Sequence, residues 1–156
     1  MACEIKQIEY RHIEAHGAET YPNECQGFLL GRQEDGHVEV LDIYRLTNVW
    51  GMSGANPFEV RPEDSTRNRT LVDPKDYLKA DRKARERGID IIGYYHSHPD
   101  HPAQPSEFDR KHAHPFLIYV ILAVEQGVPR QMTGWLLSED QTRFLPEEII
   151  IQEGNN

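Results

Sequence analysis

Apolar residues mark out the skeleton of this chain before any chemistry is considered. Ile89, Ile91, Ile92, Tyr94 and Tyr95 form a run dense enough for a buried strand. Phe116 to Val124 is almost continuously apolar, as a central strand requires. Ile8, His12, Ile13 and Ala15 give a modest helical pattern up to Thr20, interrupted at Gly17 and broken by Tyr21-Pro22-Asn23. Glu24 to Arg32 reads as a strand, Glu34-Asp35-Gly36 as a tight turn, and His37 to Leu46 as a second, somewhat irregular hairpin strand.

Asn48 to Thr70 is the least regular region, with Gly51, Gly54, Pro57 and Pro62 among polar residues and a short strand expected at Phe58-Glu59-Val60. A loop of that length is usually functional or mobile. Asp73-Pro74 starts a helix, N-cap then proline, and Gly88 stops it after Arg87. Tyr77, Leu78, Ala80 and Ala84 are expected to face the core, and the lysines and arginines between Lys75 and Arg87 to form a solvated face. A short helix is expected from Ser106 to about Ala113. A strand with Trp135 as anchor follows at Gln131–Ser138, then an edge strand at Glu148–Gln152, and Gly154-Asn155-Asn156 should fray. The order predicts an α/β protein, a mixed central β-sheet flanked by helices, formed by residues 1–156 as a single domain.

Composition narrows the field. A chain of 156 residues suits one domain with one substantial core. A net charge of −9 argues against coating nucleic acid or an anionic membrane surface. No apolar stretch approaches the ~20 residues of a membrane span. The start, MACEIKQIEY, lacks the apolar core of a secretory signal, and Cys3 and Cys25 make no disulfide framework, so a cytoplasmic protein is the expectation.

The chemistry gathers in Gly93–Asp109, GYYHSHPDHPAQPSEFD. On a strand, residues two apart share a face, so His96 and His98 can reach one metal ion. Pro99 ends the strand. Seven residues separate His98 from Ser106, and two more separate Ser106 from Asp109. Ser-x-x-Asp can begin a helix, with Ser106 as N-cap, and can turn Asp109 back towards the histidines. Two histidines and a carboxylate around an open position is the coordination of a catalytic zinc. Read alone, His-Ser-His could equally be a surface pair, and Ser-Glu-Phe-Asp only a helix cap. His12 and His16 read as helix-surface residues, His37 as a turn residue, and His101, His112 and His114 as surface residues near the mouth. Cys25 reads as a core thiol.

His-Ser-His-Pro with this spacing to Ser106 and Asp109 resembles the motif of the JAMM (MPN+) zinc metalloproteases. The likeness extends to NECQGFLLG, where Glu24, Gly27 and Gly31 match the family's upstream glutamate strand, and it covers nearly the whole chain in order. It implies the JAMM/MPN (cytidine-deaminase-like) architecture. It also implies one Zn2+ per chain held by His96, His98 and Asp109, Glu24 as general base, and Ser106 as an oxyanion donor, with capping left to that serine's backbone position. Seventy-one residues lie between Glu24 and His96, so only the resemblance brings them together.

The implied activity is an isopeptidase cutting after the C-terminal Gly-Gly of a ubiquitin-like or sulfur-carrier protein. It would release a lysine, a small amino acid or a C-terminal extension. A homodimer is left open, and no nucleic acid or membrane partner is implied. Three alternatives stand beside it: a non-catalytic MPN scaffold, a RadC-like DNA-repair-associated protein, and a zinc amidase of a small substrate. Tyr94 or Tyr95 and the rigid HPAQP segment suggest a narrow groove beside the long loop. An extended glycine tail would fit it by pairing with a strand edge.

Overall fold

A computed structural model describes residues 2–52 and 61–153 of the chain. The expected strand at Phe58-Glu59-Val60 and the terminal Gly154-Asn155-Asn156 lie outside the described residues. Seven strands and three helices follow one another as β1 (Ala2–Lys6), α1 (Gln7–Thr20), β2 (Gln26–Glu34), β3 (His37–Leu46), α2 (Pro74–Glu86), β4 (Asp90–Pro99), α3 (Glu107–Lys111), β5 (Ile118–Glu125), β6 (Val128–Leu137) and β7 (Phe144–Gln152).

The sheet is mixed, as expected, but it is not an open sheet between helices. Its spatial order β1-β3-β2-β4-β5-β6-β7 closes into a barrel, because β1 runs parallel to both β3 and β7. β1 was missed because five residues give a weak signal. Its alternation is nonetheless clean, with Cys3 and Ile5 buried between half-buried neighbours. Its partner β7 is therefore no edge strand, since it pairs with β6 on one side and β1 on the other.

Alternation along the strands sends two sets of side chains to opposite faces. One face packs on α1: Ile13 joins Leu29, Tyr95, Val120, Leu122 and Val124 in the main cluster. Helix α1 runs through Gly17 without interruption, because that glycine lies against Leu122, where an added Cβ would sit 2.5 Å from a leucine methyl. His16 is likewise no surface residue. It is 8% exposed and its Nδ1 meets the Tyr95 hydroxyl at 2.7 Å, while burial lowers its pKa to about 4. The other face carries Phe28, Leu30 and Leu46 against Ala80 and Ala84 of α2. Only those two α2 residues are buried; Tyr77 and Leu78 are 47% and 65% exposed, against expectation. The α2 ends are as read, with the Asp73 side chain accepting from the Lys75 N–H and Gly88 at φ +69°.

The β2–β3 hairpin turns through Asp35 and Gly36, both at positive φ, as a two-residue hairpin loop favours. The irregularity in β3 is a bulge: Leu30 pairs with Asp42 but Gly31 with Val40, leaving Leu41 extra. Close approach explains the glycines of β2. A Cβ on Gly27 would fall 2.2 Å from the Tyr95 ring, and one on Gly31 1.9 Å from the Glu39 carbonyl oxygen.

Candidate active site

β4 pairs parallel with β5 and antiparallel with β2, and its C-terminal end carries His96, Ser97 and His98. The two imidazoles share the face opposite α1, with Nε2 atoms 3.0 Å apart. Beyond Pro99 the chain bends at Asp100 (φ 57°) and folds back, so that the Pro102 carbonyl accepts from His98 Nδ1 at 2.8 Å. That carbonyl can only accept, so the His98 proton sits on Nδ1 and its Nε2 presents a lone pair. His96 Nδ1 is buried with no hydrogen-bond partner among the described residues.

Asp109 arrives on α3. The Ser106 Oγ accepts from the Asp109 N–H at 3.0 Å and the Asp109 carboxylate accepts from the Ser106 N–H at 2.9 Å, a complete capping box. The serine side chain, and not only its backbone position, therefore caps the helix. The box turns Asp109 inward, with Oδ1 3.3 Å from His96 Nε2 and Oδ2 3.3 Å from His98 Nε2. Burial alone would raise the Asp109 pKa, but His96 and His98 outweigh it and hold the carboxyl well below the usual range.

Glu24 comes from the opposite direction. It precedes β2, is 5% exposed, and its N–H donates to the Thr66 carbonyl at 2.8 Å. Such burial is unusual for a carboxylate at a strand entrance, and it is enforced next door. The Cys25 N–H donates to Ser97 Oγ at 2.8 Å, while the Ser97 N–H donates to the Cys25 carbonyl at 3.1 Å. A side-chain hydroxyl thus extends the β2–β4 ladder by one residue and keeps Glu24 beside the histidines. One ligand atom from each of Glu24, His96 and His98 lies within 4.8 Å of the others. Burial, then the Asp109 charge, pushes the Glu24 carboxyl well above its usual range, partly opposed by Arg69. Cys25 itself points away into the core, where burial pushes its thiol up to about 11.

The donor set can be tested against zinc by distance. Bonds of ~2.0–2.1 Å in a tetrahedron put neighbouring ligand atoms roughly 3.3 Å apart. The His96, His98 and Asp109 contacts are 3.0, 3.3 and 3.3 Å. At least one imidazole lone pair faces a carboxylate here, an arrangement that a cation would relieve. The residues present fit the group.

Two cavities flank these side chains. One, of about 320 Å³, opens on the His96 and Asp109 side and is lined by aromatic and aliphatic residues, among them Phe28, Tyr77, Tyr94, Phe108 and Tyr119. The other, of about 370 Å³, opens on the Glu24, His98 and Ser106 side and is lined by Arg67, Asn68, Arg69, His101 and Gln104 together with Pro99, Pro102 and Pro105. Tyr94 lines the first cavity, whereas Tyr95 points into the core. Among the described residues each barrel strand pairs on both sides over part of its length, residues 128–133 of β6 and 41–46 of β3 being paired on one side alone. His112 and His114 are exposed at the first cavity and His101 at the second.

The described part of the long loop forms one wall. Buried Gln26 donates to the Thr47 and Leu71 carbonyls at 3.1 and 2.8 Å. Its Oε1 accepts from the Tyr94 hydroxyl at 2.6 Å, and that hydroxyl lies 2.9 Å from Thr70 Oγ1. Trp50 packs edge-on against Phe108, with ring centres 5.6 Å apart, and the Arg69 guanidinium sits 4.4 Å over the same ring. Gln26, Ser97 and Arg69 were not picked out from sequence, whereas Tyr94 was expected as a wall of the groove and lines the first cavity. The available signals were a polar residue inside the apolar run of β2 and a hydroxyl between the two histidines.

Fold and site together define a protein of the JAB/MPN class. Residues 7–138 match the family described as prokaryotic homologs of the JAB domain, and the chain belongs to that family. It is 40% identical over 127 residues, 81% of its length and 70% of the relative's, to a probable TtuB-protein conjugate cleaving protease of Thermus thermophilus. It resembles a solution structure from Desulfitobacterium hafniense, 28% identical, at a TM-score of 0.78 over 97% of this chain and 94% of that one. A Salinibacter ruber structure, 35% identical, gives 0.69 over 96% and 92%. A JAB1/MPN domain protein of Archaeoglobus fulgidus, 16% identical, gives 0.52 over 94% and 98% and supports the fold alone. No helix among the described residues is long and apolar enough to cross a membrane.

Proposed function

We propose that this chain is a zinc-dependent metallopeptidase that hydrolyses the bond after the C-terminal Gly-Gly of a ubiquitin-like or sulfur-carrier protein. The observation that carries the reading is the convergence of His96 Nε2, His98 Nε2 and the Asp109 carboxylate at zinc-ligand spacing beside a buried glutamate. The relative named as a conjugate-cleaving protease supports the substrate class.

When bound, zinc supplies a Lewis acid and a water whose pKa falls to about 7. The chain's own groups do the rest. His98 is oriented by its Nδ1–H bond to the Pro102 carbonyl, and Asp109 by its capping box. The Glu24 carboxylate takes the proton of the attacking water and delivers it to the departing amine. Its raised affinity for a proton suits that exchange near neutral pH. Ser106 Oγ accepts from the Asp109 N–H, which leaves its own hydroxyl proton to donate to the oxyanion forming on the attacked carbonyl.

The test is to incubate zinc-loaded protein with a ubiquitin-like domain fused after Gly-Gly to a reporter, with and without chelator. Cleavage at the Gly-Gly bond, abolished by chelator and slowed greatly when the last glycine becomes valine, is expected. Equal rates for glycine and valine tails would overturn the substrate class, as would no cleavage at all. Turnover of small amides in its place would point to a zinc amidase.

A further inference from the structure

The chain from Pro99 to Lys111 joins the histidine strand to the Asp109 helix, and the β5–β7 part of the sheet grips it at three points. Near its start the Asp100 N–H donates to the Val124 carbonyl at 2.7 Å, and the Asp100 carboxylate accepts from the Gln126 N–H at 2.8 Å. Near its end Arg110 donates to the Gln141 carbonyl at 3.1 Å. In between, Thr133 Oγ1 on β6 lies 2.6 Å from the Ala103 carbonyl and 2.8 Å from Trp135 Nε1. An indole N–H can only donate, so Thr133 Oγ1 accepts from it and keeps its one proton for a carbonyl. Ala103 receives that proton, since the competing Ile121 carbonyl stands at 3.5 Å. Ala103 is also 1% exposed and packs with Ile121, Ala123 and Trp135. The preceding carbonyl, that of Pro102, is the one that accepts from His98 Nδ1. Peptide planes are rigid, so only the two dihedrals of Ala103 separate the carbonyl held by Thr133 from the carbonyl that holds His98.

We infer that Thr133 and Trp135 are positioning residues for the metal site, acting through Ala103 to fix the Pro102 carbonyl that aims His98. The inference rests on the reading of His98 as a zinc ligand. Neither residue stands next to the ligands in the sheet. His98 pairs with Ala123 and Ala123 with Gln131, so β6 is two strands away from β4, about 10 Å. Without the Thr133 hydroxyl, the buried Ala103 carbonyl loses its donor and the segment is free to turn about that residue. The His98 ring then loses a fixed acceptor, and its Nε2 lone pair is no longer held towards His96 and Asp109. A ring that must be ordered when the ion arrives binds it more weakly than one already aimed. An ordinary core hydrogen bond at Thr133 would lower Tm and leave zinc affinity alone.

The experiment reads zinc and the His98 proton before any cleavage. Zinc affinity is measured by competition with a chromophoric chelator. Exchange of the His98 Nδ1–H is followed by NMR of zinc-free protein, with His98→Ala locating the signal. Thr133→Val keeps the side-chain shape without the hydroxyl. It should weaken zinc about ten-fold, the lower end of the span for a group behind a ligand, and speed the proton's exchange. Thr133→Ser keeps the hydroxyl and should recover most of both. Trp135→Phe keeps an aromatic ring without the indole donor and should give a smaller shift in the same direction. Ile13→Val, on α1 at the opposite face of the sheet, should lower Tm and move neither reading. With a Gly-Gly fusion at saturating zinc, Thr133→Val should lower kcat and leave KM in place. Zinc affinity and exchange unmoved by Thr133→Val, moved equally by Ile13→Val, or not recovered by Thr133→Ser would each overturn the inference. If Thr133→Val does not fold, Trp135→Phe decides: no shift in either reading overturns it. The expected shifts in a protein that cleaves no conjugate would uphold the inference and overturn the conjugate reading alone. Wild-type protein that binds no zinc would overturn both.

Discussion

Asp109 and Glu24 reach the same cluster by opposite routes. Asp109 is placed by its own neighbourhood, since four consecutive residues, Ser106 to Asp109, contain the whole capping box that aims its carboxylate. Glu24 is placed from afar, by a hydrogen-bonded pair, Cys25 and Ser97, that lie 72 residues apart. Their environments diverge too. Two imidazoles hold the Asp109 carboxyl well below the usual carboxylate range, whereas burial and the Asp109 charge push the Glu24 carboxyl well above it. Two carboxylates pushed in opposite directions within one cleft is the pattern that divides a charged anchor from a proton carrier.

The largest effect that could break this division is on metal content. His96→Ala and Asp109→Ala should both lower zinc well below about one per chain, read by elemental analysis, and activity should vanish with it. Asp109→Asn keeps an acceptor for the Ser106 N–H, so its helix should remain capped while its zinc affinity falls. Full zinc occupancy in both alanine variants would remove Asp109 and His96 from the ligand set.

Glu24→Gln probes the other half of the comparison. Zinc should stay and the rate fall by roughly 10²–10⁴-fold, the usual span of a lost general base. A stability signature accompanies this. Because folding raises the Glu24 pKa, the stability tied to its proton is full below the ordinary glutamate range and is lost as pH rises through the folded value. In zinc-free protein, Glu24→Gln should therefore melt above wild type at pH 8, the two converging near pH ~4. Loss of zinc from this variant would make Glu24 a ligand instead.

The contrast also explains what could be read from the sequence. The strand-borne histidines, the capped α3, the Asp73-Pro74 helix start and the β2–β3 hairpin are all set by residues a few positions apart, and they were legible. The barrel closure was not, because it depends on β1 meeting β7 across nearly the whole chain. Burial of His16 escaped for a similar reason. Its partner, Tyr95, lies 79 residues away, and a polar residue on a weakly amphipathic helix looks solvated until that partner is known. Tyr77 and Leu78 were misplaced because two small alanines let α2 sit close to the sheet, leaving the larger side chains at the rim.

Ser106 belongs to the local half of the comparison and carries two roles that substitution can separate. Ser106→Ala removes the cap, at about 1 kcal/mol, together with the hydroxyl donor. Ser106→Asn restores a good cap without the hydroxyl. Zinc should be retained in both. Turnover should fall in both, by more than KM rises, because an oxyanion contact acts mainly in the transition state. Recovery of turnover in Ser106→Asn would reduce the serine to a cap.

Ser97 belongs to the distant half, and its effect should be the smallest. It is fully buried between the two histidines, yet its hydroxyl faces away from them, towards the Cys25 N–H. Ser97→Ala leaves that buried donor without its partner, a cost of about 1–3 kcal/mol. That corresponds to a few degrees in Tm for a chain of this size. If the hydroxyl also fixes the strand entrance, Glu24 gains freedom in the variant and kcat falls with little change in KM or zinc content. Ser97→Thr keeps the hydroxyl and should restore kcat, even where its extra methyl group lowers Tm in a fully packed position. A Ser97→Ala protein with a lowered Tm and an unchanged kcat would show that Glu24 is held by its bond to Thr66 alone, and the long-range half of the comparison would then rest on the loop and not on the paired strands.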